Sequence, residues 1–432
     1  MTFWLKNRSA WYPLMLLLVL GIVVAILPGH RGWFDVGVYH GAVNFWVREG
    51  GQLYDYVRPE STYGFTYPPF AALVMLPMAG VAWHPAIALN AALTLAAGLF
   101  LLWTLAGPAI RRMGLPIAYG MGMAVFLFGA LGPVRDTILF GQINLHLMAL
   151  VYLDLVLLGR GSRFAGIGIG LAAAIKLTPG VFLVYLLLSG RWRAAMVSAA
   201  TAVGATLLAA IVAPDASRTY FTELLWDTSR IGDLGYVSNQ SLLGLVTRHA
   251  EGGRGIWLCL VIMVLIIWGY GLRRADLLTG FAMTGVVACL VSPITWVHHL
   301  VWLAPGLILL VQKESTRRLA IMCYVLLVSC LVWLWSLDQS GPLGFVGSNA
   351  YVFVSLAVLA ALASPLPVPA FVGSWIESRV APRLAPSLAP SLVTGRLLHP
   401  ASHRAVSSPN NPASQWMPTI QVLASAHARH LR

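Results

Sequence analysis

Charge is scarce in this chain. Only 10% of its 432 residues are Asp, Glu, Lys or Arg, whereas 58% are hydrophobic and the mean hydropathy is +0.77. A soluble domain carries about 25% charged residues, so an ordinary water-soluble globule is excluded. Cysteine is scarce as well. Cys259, Cys289, Cys323 and Cys330 all fall inside apolar runs, with no CxxC pair and no metal-ligand spacing, and they read as small buried hydrophobes. There is neither a DxD motif nor a glycine-rich phosphate loop, so no nucleotide sugar is expected. The outer loops have no paired carboxylates at ligand spacing, which predicts metal-independent chemistry and no cofactor. No small-x-small cleavage site follows the first apolar run, Trp11 to Leu27, so it is expected to remain as a helix with a cytoplasmic N-terminus.

What the chain has in abundance is apolar runs near the roughly 20 residues needed to cross a bilayer as a helix. After the first, they lie at about 68 to 82, 86 to 106, 116 to 131, 143 to 158, 164 to 175, 178 to 189, 194 to 213, 256 to 271, 277 to 292, 298 to 312, 319 to 337 and 349 to 366. The fold class is therefore an all-α polytopic membrane protein with about 11 to 13 transmembrane segments. The net charge of +13 does not mean nucleic acid, because the bases sit singly or in pairs at the ends of apolar segments. Residues 1–366 form the expected membrane domain. Residues 367–432 read as a basic, disordered cytoplasmic tail, with six arginines and no acid from Arg379 onward.

Arg160 and Arg163, Arg191 and Arg193, Arg273 and Arg274, and Lys313 with Arg317 and Arg318 all fall inside if the intervening segments pair as hairpins. The loops 132 to 142, 214 to 255, 292 to 299 and 338 to 348 then face outward, together with the first loop, residues 28–67. Arg111 and Arg112 break the scheme: either the 68 to 82 segment does not span fully or those arginines violate the rule. The first loop is rich in aromatics, and Val36, Tyr39, Val43 and Trp46 or Val47 recur at helical spacing, which predicts an amphipathic helix on the outer surface.

Polar residues near a membrane are expensive and mark candidate sites. Asp35, in Gly32-Trp33-Phe34-Asp35-Val36, is a carboxylate among aromatics, where desolvation would make it a better base; an ordinary loop charge or helix cap is the alternative. Tyr67-Pro68-Pro69 opens the second apolar run and suits helix initiation. Gln142 and Asn144 offer the amides that sugar hydroxyls need. Arg135 either contacts a phosphate or pairs, like Asp136, with other loop charges. Lys176, in Lys176-Leu177-Thr178-Pro179-Gly180, interrupts an apolar stretch where a lysine costs about 2.5–3.5 kcal/mol by insertion scales. The broken helix end plus a cation points to an anion site, with snorkelling to the interface as the competing account. Asn239 and Gln240 form an uncharged hydrogen-bonding run between two serines. His298 and His299, adjacent on a helix, cannot chelate one metal as an i, i+4 pair would; one could bind a phosphate, or both pack beside Trp296.

In this order, Asp35, Tyr67-Pro68-Pro69, Gly141-Gln142-Ile143-Asn144, Lys176-Leu177-Thr178-Pro179, Asn239-Gln240-Ser241 and Ser292-Pro293 through Trp296-Val297-His298-His299 resemble glycosyltransferase family 87, a group within the GT-C superfamily. The similarity runs over about residues 11 to 366 and is nearest to the actinobacterial α-1,2-mannosyltransferases. It implies a GT-C helical bundle in the plasma membrane, an extracytoplasmic active site, a polyprenyl-phosphate-mannose donor and a phosphatidylinositol mannoside acceptor. Lipomannan branching or arabinofuranosyl transfer are the enzyme alternatives. The resemblance makes Asp35 the general base. Charge makes His299, His298, Lys176 and Arg135 candidates for the donor phosphate, and Gln142, Asn144, Asn239, Gln240 and Tyr67 candidates for sugar or acceptor. A transporter is the rival from another class; broken helices fit one, but the two halves show no repeat and the acidic-aromatic first loop has no transport rationale.

Overall fold

The computed structural model describes residues 31–364 apart from Thr228, all within one unit of the chain, Met1–Leu384. The expected first helix and the basic tail lie outside the described residues. Apart from one isolated antiparallel bridge, Val57 with Gly64, the described residues form helices and turns. Each of the twelve later apolar segments coincides with a helix or a helix broken by a few residues.

Trp83–Leu105, Trp192–Val212 and Arg254–Leu272 are each long and apolar enough to cross a membrane, and two further pairs pass the same test with a bend: Ile117–Ala130 with Gly132–Phe140 at 76°, and Gly341–Ser348 with Ala350–Ala363 at 58°. Shorter apolar helices fill the interior between them. Trp192–Val212 leaves Met196, Val203, Leu207 and Ile211 exposed, Ile211 by 79%. A helix apolar all round with such residues outside is stable only against lipid or protein. This is a multi-pass membrane protein. Pro69–Met75 continues as a 3-10 helix, Leu76–Gly80. The two together rise only about 20 Å, short of the roughly 30 Å hydrocarbon core. That is the first of the two explanations left open for Arg111 and Arg112.

The helix expected in the first loop is Phe34–Val47, and it is more deeply embedded than a surface stripe. Val36, Val38, Tyr39, Ala42 and Val43 are all buried, so two adjoining faces are covered, while Val47 is 51% exposed. The loop after it folds back on aromatic contacts. Tyr54 stacks on Tyr220 with ring centroids 5.9 Å apart, and its hydroxyl donates to the Tyr67 carbonyl at 2.8 Å.

Ile167–Ile175, which ends at Lys176, is held by unusually close backbone packing. A Cβ on Gly166, which has φ +111°, would lie 2.2 Å from the Ala194 carbonyl oxygen; on Gly168, 2.2 Å from that of Leu150; on Gly170, 2.5 Å from that of Ser198. Small residues of this kind let membrane helices approach closely. Asp154 accepts the Ile169 backbone N–H at 2.7 Å, because that amide at the helix start has no intrahelical acceptor. Gly168→Val is expected to destabilise the protein by about 1–3 kcal/mol through overpacking, read as a lower thermal transition in detergent; an unchanged transition would contradict the close packing.

Candidate functional site

The first loop is brought to the bundle by its own backbone. Gly32 and Trp33 take left-handed conformations, φ 63° and 52°, and turn the chain into the Phe34 helix. Arg58 clamps that turn. Its guanidinium lies over the Phe34 ring at 4.6 Å, and its Nη1 donates to the carbonyls of Phe34 and Trp33. Asp35 thus occupies the first turn of a helix, where the macrodipole favours an anion.

Asp35 lines a cavity of about 520 Å³. Its Oδ2 is covered and has no hydrogen-bond partner. Burial raises its pKa to about 7, opposed by hydrogen bonding from Gln142 and by the nearby Arg58, and positive charge on Lys176 favours the ionised form. Gln142 is oriented by two tyrosines. Tyr39 and Tyr67 donate to its Oε1 at 3.1 and 2.9 Å, so its amide nitrogen is the part left to serve Asp35.

Lys176 is extended, with φ -150° and ψ 129°, between Ile167–Ile175 and the 3-10 turn Thr178–Gly180. Pro179 has no N–H to offer the Ile175 carbonyl four residues back and its ring crowds that carbonyl, so the helix ends at Ile175 and the lysine side chain reaches the cavity. Its Nζ lies 3.0 Å from His299 Nε2, 3.2 Å from Asn144 Oδ1 and 3.5 Å from the Tyr67 hydroxyl. Asn144 ties this group to the next element, because its Nδ2 donates to the His298 carbonyl at 3.1 Å. His299 Nδ1 accepts the Trp296 backbone N–H at 3.1 Å, and the His298 ring stands at 87° to that of His299 with a covered, unpartnered Nε2.

Asp35, Tyr67, Gln142, Lys176, His298 and His299, anticipated from the sequence, therefore lie around one cavity. Arg135, Asn144, Asn239 and Gln240 do not line it. Arg135 Nη2 donates to Cys330 Sγ at 2.8 Å. Asn239 holds the Leu234 and Pro293 carbonyls and the Thr295 amide, and Gln240 holds the Val237 and Ser348 carbonyls and the Tyr351 amide. These two amides pin the 292–299 turn and the Gly341–Ser348 helix end, with little left for a sugar.

Sequence reasoning treated Tyr39 only as part of an apolar stripe, although its position one helical turn after Asp35 places both on one face. Arg31, Trp296, Trp333, Tyr220, Asp227 and Arg230 also line the cavity. They come from four distant stretches of chain, and no local pattern joins them. Among the described residues no three of His, Cys, Asp and Glu converge as a metal-binding group.

Residues 65–293 match the model for glycosyltransferase family 87. The chain belongs to that family. The matched stretch contains Tyr67, Gln142, Asn144 and Lys176. Curated relatives extend the similarity. A polyprenol-phosphate-mannose-dependent alpha-(1-2)-phosphatidylinositol pentamannoside mannosyltransferase of Mycolicibacterium smegmatis is 32% identical over 375 residues, covering 78% of this chain and 87% of the relative. The protein of the same description from Mycobacterium tuberculosis (strain CDC 1551 / Oshkosh) is 31% identical over 391 residues, 83% of this chain and 88% of the relative. A phosphatidylinositol mannoside mannosyltransferase of M. tuberculosis H37Rv is 29% identical over 363 residues, 77% and 83% respectively. No solved structure matches the chain.

A base in this family 87 enzyme must be ionised to take a proton. With the Asp35 carboxyl raised to about 7, transfer is expected to rise with pH through about 7. Arg58→Met removes one of the charges that lower the pKa, so the acid limb should move to higher pH. Profiles of kcat/KM against pH for both proteins check this; superimposable limbs would contradict it.

Proposed function

We propose that the protein transfers mannose from polyprenyl-phosphate-mannose to a phosphatidylinositol mannoside, forming an α-1,2 linkage with inversion at the anomeric carbon. The supporting observation is one cavity that joins Asp35, a carboxylate with a covered and unpartnered oxygen, to the amine and imidazole pair Lys176 and His299. The relatives' descriptions supply the donor and acceptor classes.

In this reading the acceptor hydroxyl gives its proton to Asp35 as its oxygen attacks the anomeric carbon. The bond from that carbon to the phosphate oxygen breaks, and the electron pair leaves with polyprenyl phosphate. Phosphate is already a fair leaving group, so positioning and charge stabilisation are the main requirements. Lys176, His298 and His299 meet the phosphate. Gln142 is a positioning residue that holds Asp35, Tyr67 borders the sugar, and Asn144 supports Lys176. Arg135 is left out of the phosphate set because it does not line the cavity. The active site lies on the extracytoplasmic side of the plasma membrane, with residues 28–67 as the catalytic loop of a membrane domain spanning 1–366.

Membranes containing the protein, given radiolabelled polyprenyl-phosphomannose and a phosphatidylinositol mannoside, should form a larger mannoside. Asp35→Asn should lower the rate by about 10²–10⁴-fold, the usual worth of a general base, with the protein still inserted. Full activity in that variant would remove Asp35 from the chemistry. Counterflow of lipid or sugar without transfer would favour a transporter, and labelling only from an arabinofuranosyl donor would change the sugar.

A further inference from the structure

The contact between Lys176 and His299 sets a hydrogen-bonding problem. The backbone N–H of Trp296 can only donate, and it is aimed at His299 Nδ1 at 3.1 Å. Nδ1 therefore carries no proton, and the neutral imidazole bears its hydrogen on Nε2. That Nε2–H faces Lys176 Nζ at 3.0 Å. An ammonium has three donors and no acceptor, so a charged lysine and this imidazole would point hydrogens at each other.

A neutral amine fits without conflict. It has two N–H groups and one lone pair. Asn144 Oδ1 accepts one hydrogen, since Asn144 Nδ2 is already donating to the His298 carbonyl. The Tyr67 hydroxyl accepts the other, since its own hydrogen goes to Gln142. The lone pair receives His299 Nε2–H. The carbonyl of Ile294 also borders the imidazole, but a proton drawn to Nδ1 would collide with the Trp296 amide hydrogen. The other titratable groups bearing on Lys176 are Asp35, Cys289 and His298.

We infer that Lys176 is a neutral amine in the empty site and takes up one proton when an anionic phosphodiester enters between it and His299. Two groups that can only donate to a common point are satisfied when a phosphate oxygen occupies it. The proton arriving on Nζ balances the charge of the incoming phosphodiester. The new ammonium then favours the ionised form of Asp35, so donor binding readies the base. This rests on the donor assignment proposed above.

The test is calorimetric titration of the full chain in detergent with polyprenyl-phosphomannose and no acceptor, at pH 9, in two buffers of different ionisation enthalpy. A phosphodiester does not titrate in this range, so any uptake belongs to the protein. About one proton should be taken up per donor bound, and affinity should fall about tenfold per pH unit above 8. Lys176→Arg is charged at every pH and should bind donor with no uptake. Asp35→Asn should keep the uptake, excluding Asp35 as its source. Donor binding without uptake in the wild type, or undiminished uptake in Lys176→Arg, would overturn the inference. Absence of donor binding in the wild type would overturn the donor assignment itself, and the inference with it.

Discussion

A basic side chain inside an apolar bundle has to be partnered, and the site is organised around that requirement at Lys176. A polar amine left in a low-dielectric interior without hydrogen-bond partners is costly whether or not it is charged. Here the cost is met by a broken helix, which frees the side chain, and by partners drawn from three other parts of the chain. Asn144 comes from the helix Asn144–Gly159, His299 from the 3-10 segment Val297–Leu303, and Tyr67 from the end of the first loop. Each partner is itself fixed by a second bond, so moving one of them moves the cluster. Close glycine packing at Gly166, Gly168 and Gly170 supports the same point from below, because the helix it anchors ends at Lys176.

The first loop then has a structural reason for its length. Between Arg31 and Pro68 it borders the cavity, and it is held there by aromatic stacking and the Arg58 clamp instead of by a sheet. That path delivers Asp35 to the wall facing Lys176, with Gln142 and two tyrosines between them. Asp35 and Lys176 are thereby coupled electrostatically, since the state of one biases the ionisation of the other.

The helices were legible in the sequence because hydropathy needs no partner to be read. Asp35 and Lys176 were legible because charge is rare here and expensive in lipid. Tyr39, Arg58 and the distal cavity wall were not, because their roles depend on contacts between distant stretches. Asn239 and Gln240 show the opposite error. Uncharged amides suit sugars, but in a helix-rich membrane protein the irregular turns also need donors and acceptors, and these two satisfy the turns first.

The central claim is that one cavity holds the donor phosphate and the attacking hydroxyl between Lys176 and Asp35. A structure of the inactive Asp35→Asn protein with polyprenyl-phosphomannose bound tests it most directly. The account requires the phosphate within hydrogen-bond distance of Lys176 Nζ and His299 Nε2, with the anomeric carbon turned toward residue 35. A phosphate seated instead at Arg135, or outside the cavity lined by Asp35, would contradict it.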